Sequence, residues 1–143
     1  VPPTVRCVLV HPHMVLNTRE ARSILSKTVS LSDVIWQTAN ISGFITGCFT
    51  GDLQLIRESL EDVIIEPQRQ VLIPAFQAVK QGAMSNGALG CSISGAGPTI
   101  FAWCEAPNAE RVRDAMVAGF AGQKMASDAW ISTLDAVGAR IVD

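Results

Sequence analysis

The sequence predicts an α+β domain: a split β-α-β core with extra helices inserted after its first strand. Three observations carry this. A β-rich run, VRCVLV from Val5 to Val10, opens the chain. Two further apolar runs, Ala88 to Ser94 and Thr99 to Cys104, flank a Gly-Ala-Gly-Pro turn and read as a hairpin. Between these regions apolar residues recur at the helical period rather than alternating.

Each element has a local cause. His11-Pro12 ends the first strand. Asn17-Thr18 offers an N-cap for a short helix from Arg19 to Leu25. Ser30, with Asp33 three residues on, approaches a capping box and opens a second helix. Its stripe of Leu31, Val34, Ile35, Thr38, Ile41, Ile45 and Cys48 is expected to be the buried face. Thr50-Gly51 ends that helix. Asp52 caps a third, whose stripe is Leu53, Ile56, Leu60 and Ile64. Pro67 suits the first position of another helix, and Pro74 breaks or kinks it. Phe76, Val79, Lys80 and Ala83 continue a helical face to the Asn86-Gly87 stop. After the hairpin, Asn108 caps a helix carrying Val112, Ala115, Met116 and Phe120. Ala129 to Val142 reads as one long or two short strands, with Gly138 as a bulge. With the extra helices removed, the order is β-α-β-β-α-β, the ferredoxin-like pattern.

Composition narrows the function classes. The 143 residues suit a single domain, residues 1–143, large enough to bury a core without disulfides. Hydrophobic residues are 48% and charged residues 17%, which is a globular and not a disordered balance. A net charge of −2 without a basic stripe gives no nucleic-acid surface. No apolar run is long enough to span a membrane. Cys7, Cys48, Cys91 and Cys104 match no zinc or redox spacing, and read as free buried thiols in a reducing compartment. His11 and His13 lack a third ligand nearby, so no metal site is expected. No general base or nucleophile pairing is legible, so no catalytic residue is assigned. The chain starts Val1-Pro2-Pro3, without Met, as a processed or excised polypeptide would.

The turn SISGAGPT, residues 92 to 99, is the main functional candidate. It has no Gly-Lys-Ser/Thr ending, lacks the third glycine of a dinucleotide fingerprint, and leads into a strand. Two readings stand on its residues. It is a plain hairpin turn with glycines supplying positive φ. Or Ser94, Gly95, Ala96 and Gly97 form a glycine-rich loop that a substrate or a phosphate loop of another domain approaches closely.

The stretch GCSISGAGPTIFAW resembles the third conserved motif of the GHMP kinases. The blocks VLVHP, NTREAR, EDVIIEPQR, SISGAGPTIFA and DAVGARIVD, in that order, are similar to the bacterial homoserine kinases within that group. The resemblance implies the C-terminal domain type of this family. The N-terminal ATP-binding domain, with its Gly/Ser-rich phosphate loop, does not stand in these residues. It implies ATP and Mg²⁺ as cofactors, held mostly by that other domain. It implies L-homoserine as acceptor of the γ-phosphoryl group in threonine biosynthesis, a cytoplasmic setting, and allows a homodimer. It places Thr18, Arg22 and Arg69 in the homoserine pocket, where guanidinium forks suit a carboxylate. Without the resemblance, Arg22 reads as a surface pairing residue and Thr18 as a helix cap. An amino-acid-binding regulatory module of ferredoxin-like fold is the alternative.

Overall fold

In the computed structural model, which describes residues 1–134 and Ile141, β1 (Val5–Pro12) runs through a four-stranded antiparallel sheet. The strand order is β2-β3-β1-β4, with β2 at Ala88–Ile93, β3 at Ile100–Glu105 and β4 at Ser127–Thr133. Val8 pairs with Ala102 on one side and Ile131 on the other. Between β1 and β2 lie α1 (Thr18–Ser23), α2 (Leu31–Thr50), α3 (Leu53–Ser59), α4 (Glu66–Arg69) and α5 (Phe76–Ser85). A 3₁₀ turn (Ala106–Asn108) and one α-helix, α6 (Ala109–Ala121), join β3 to β4. The α+β class and the extra helices after the first strand stand as the sequence predicts.

Alternation along the strands decides the core. Val8, Val10, Ile100, Ala102 and Cys104 face α5 and α6, where they meet Phe76, Val79, Met116 and Phe120, all buried. The two helices approach through a small residue. A Cβ added at Gly119 would stand 2.9 Å from the Val79 Cα. The opposite face is covered at one end by α2 and α3, around Val5, Ile56 and Leu89. There Phe44 lies against Trp103 with ring centroids 5.1 Å apart.

Several sequence expectations are corrected. Most of the α2 stripe expected to be buried faces outward: Leu31 is 75% exposed and Ile35 62%, while Cys48 at its end packs inward. The inner side of α2 instead carries the buried Asn40 and Gly47, with Gly43, Phe44 and Cys48 beside them. A Cβ at Gly43 would stand 2.3 Å from Ser59 Oγ, and one at Gly47 2.9 Å from Ile56 Cγ1. The glycines are the notch into which α3 closes; Phe44 and Cys48 pack inward beside them, and the other large apolar residues are left on the other side. Helix α3 stops at Ser59, short of Ile64. Asp62 Oδ1 accepts from the backbone N–H groups of Ile64 and Ile65, an alternative to helical bonding. Asn108 precedes α6 but its side chain accepts from Arg111 and does not cap. β1 runs two residues further than Val10, and β4 begins at Ser127. The expected bulge at Gly138 and the strand end toward Val142 lie outside the described residues. All four thiols are free; Cys91 and Cys104 are buried, while Cys7 and Cys48 are half-buried. No described helix is long and apolar enough to cross a membrane.

Candidate functional site

At one end of the sheet, the β2–β3 turn meets α1 and α4. The turn is closed by backbone bonds from Ser94 N–H to Thr99 O, 2.8 Å, and from Gly97 N–H to Ser94 O, 3.0 Å. Gly95 and Gly97 both take positive φ, +60° and +85°. They differ in what surrounds them. A Cβ at Gly95 would meet nothing within 4 Å. One at Gly97 would press on Ile73 Cδ1 at 3.0 Å and on Ile93 and Leu16 at 3.2 Å. Gly97 therefore faces the protein, and only Gly95 borders open space. The expectation that both glycines hold an approach open narrows to Gly95.

Arg69, the last residue of α4, bridges the two other parts. Its Nε donates to Ala21 O in α1 at 3.0 Å, and its Nη1 to Gly95 O at 3.0 Å. Ala21 is fully buried, and its carbonyl is among those a short helix leaves without an intrahelical partner at its C-terminal end. The guanidinium fork thus fills an otherwise orphaned acceptor while holding the turn. Arg69 was expected to line a pocket; here part of its donor set is spent on backbone, and its other N–H groups remain.

Arg22 follows the carbonyl that Arg69 binds. Thr18 and Arg22 are spaced i, i+4 and share a face of α1. Asn17, not Thr18, caps this helix: Asn17 Oδ1 accepts from Arg19 N–H at 2.8 Å. Thr18 and Arg22 are exposed, and among the described residues neither side chain has a hydrogen-bond or ion-pair partner.

Sequence reasoning missed what anchors this corner. Glu66, 7% exposed, forms an ion pair with Lys80 of α5. Gln68 Oε1 accepts from Ser26 N–H at 2.6 Å, tying α4 to the segment after α1. His11 Nδ1 lies 2.8 Å from Thr99 Oγ1, and His13 Nε2 pairs with Asp128 at 3.0 Å. No periodicity marks these contacts. The only available signal was the cluster of polar residues around Pro67. Further into the sheet, burial pushes the Cys91 thiol up to about 12 and Cys104 to about 11. Both are inert core thiols and not nucleophiles.

Residues 44–122 match the family model of the GHMP kinases C terminal. The chain belongs to the GHMP kinase family. Among GHMP kinases it is 44% identical to the homoserine kinase of Chlorobium phaeobacteroides (strain BS1), over 99% of this chain and 45% of that protein. To the homoserine kinase of Xylella fastidiosa (strain 9a5c) it is 42% identical, over 99% of this chain and 44% of that one. The crystal structure of homoserine kinase from Cytophaga hutchinsonii ATCC 33406 superposes with a TM-score of 0.92 at 42% identity, covering 94% of this chain and 43% of that one. The chain thus spans less than half the length of the curated GHMP kinases it matches.

Proposed function

We propose that this chain is the acceptor-binding, C-terminal part of a homoserine kinase, which transfers the γ-phosphoryl group of ATP to the side-chain hydroxyl of L-homoserine in threonine biosynthesis. The observation that carries the reading is the meeting of three motif blocks, with Arg69 joining Ala21 of the first to Gly95 of the third. Arg22 supplies an unpaired guanidinium for the substrate carboxylate, and the free N–H groups of Arg69 back it. Thr18, on the same helix face, offers a hydroxyl to the substrate's polar groups. Gly95 leaves the turn bare where the nucleotide-bearing half would close on it.

Phosphoryl transfer depends mainly on positioning and charge stabilisation. This chain's share is to fix the acceptor by its carboxylate so that its hydroxyl points toward the nucleotide. Among the described residues no group of three His, Cys, Asp or Glu stands together, and none is assigned to Mg²⁺. ATP and Mg²⁺ belong to the preceding half, where ATP supplies the transferred group. Free thiols accord with a cytoplasmic setting. The test is ATP-dependent phosphorylation of L-homoserine by the full-length gene product. Turnover of homoserine well above that of other small alcohols supports the reading; a product no larger than this chain, without that activity, would sink it.

A further inference from the structure

The outward face of α2 has no occupant. Leu31, Val34, Ile35, Ile41, Ile45 and Phe49 are 42% to 88% exposed along one side of a 20-residue helix. Only Asp33 is charged among those 20 residues. The hydroxyls on this side are satisfied within the helix. Thr38 donates to Val34 O at 2.7 Å, Ser42 to Thr38 O at 2.8 Å and Thr46 to Ser42 O at 2.8 Å. The face therefore offers methyl and ring surface with no unmet polar group. A helix of this length is about 30 Å long and about 10 Å across. That gives a patch of about 300 Å², the size at which exposed apolar surface is commonly an interaction site.

We propose that this face is the docking surface for the preceding half of the same polypeptide, which packs an apolar, uncharged surface against it. The proposal rests on the reading that the chain belongs to a longer kinase. Two observations choose this occupant. The matched relatives are covered only to 44–45%, and the matched family region is the C-terminal one, so their remaining length comes largely before it. The area also fits. A tethered intrachain interface holds at about 300–750 Å² per side, whereas a free second copy needs about 800 Å² per partner.

The experiment is maleimide labelling of full-length Ile45→Cys and Ile35→Cys, against Gln123→Cys as an exposed control on the same chain. Labelling is read at each position by mass spectrometry over a hundredfold range of protein concentration. The expected result is labelling at positions 45 and 35 at least tenfold slower than at 123, at every concentration. Equal rates would overturn the proposal. Slowing that appears only at high concentration would overturn it in favour of a second copy. A gene product of this chain's own size would remove the underlying reading and the proposal with it. Failure of homoserine phosphorylation alone would leave the labelling result standing.

Discussion

Arg69→Ala removes two hydrogen bonds that join segments far apart in sequence. The bond to Ala21 O is the costly one, because Ala21 is fully buried and water does not easily replace the guanidinium there. A charge-assisted bond to such an acceptor contributes about 1.5–3 kcal/mol. The bond to Gly95 O is exposed, so water recovers most of it and about 0.5 kcal/mol is lost. The total is about 2–3.5 kcal/mol. For a chain of this size each kcal/mol moves the melting temperature by about 3 °C, so a fall of about 6–10 °C is expected. Differential scanning calorimetry measures it. Arg69→Lys is the sharper variant. An ammonium keeps the charge but has no planar fork with which to hold both carbonyls. It should recover no more than about half of the loss. Unchanged melting in Arg69→Ala, or full recovery in Arg69→Lys, would refute the bracing role.

Other outcomes follow from neighbouring residues. Gly97→Val should lose more than about 3 kcal/mol, since it adds overpacking on Ile73, Ile93 and Leu16 to a positive φ of +85°. Gly95→Ala should lose only the left-handed strain of about 1–2 kcal/mol while its methyl group lowers turnover, so urea melts and kinetics should rank the two variants in opposite ways. Lys80→Met strands the buried Glu66 carboxylate and should destabilise by about 3–5 kcal/mol in urea, with Glu66→Gln in the same chain restoring part of it. Cys91 and Cys104 stay protonated in the fold, with pKa values raised from 9.0 to about 12 and about 11. Their contribution is therefore whole below about pH 9 and is lost as pH rises toward 12. The urea midpoint should fall across that window, and a flat profile there would contradict the burial of these thiols.

Much of the architecture was legible because local chemistry announces it. Ser30 and Asp52 cap where the sequence places them, Gly51 ends α2 in the left-handed region, and the turn joins β2 to β3 as a hairpin. The α2 face was misread for a physical reason. Periodicity reports which residues share a side, but not which side the domain covers. In α2 the answer came from Gly43 and Gly47, whose lack of side chains lets α3 approach. The same limit applied at the site. The motif blocks named Thr18, Arg22 and Arg69 but could not say that Arg69 divides its donors between Ala21 and Gly95. Nor could the repeated glycine spacing distinguish Gly95, open to its surroundings, from Gly97, packed on Ile73. Such contacts join residues 26 to 48 positions apart, beyond any local pattern.

The central claim, that this chain holds the acceptor by its carboxylate, is tested most directly at Arg22. The measurement is steady-state phosphorylation of L-homoserine by the full-length gene product and its Arg22→Met variant. Loss of a charge-assisted carboxylate contact of about 2–3 kcal/mol predicts a KM for homoserine about 30- to 150-fold higher. The KM for ATP should stay within about twofold, because uniform acceptor binding is what is removed. An unchanged KM for homoserine, or an equal rise in the KM for ATP, would contradict the account.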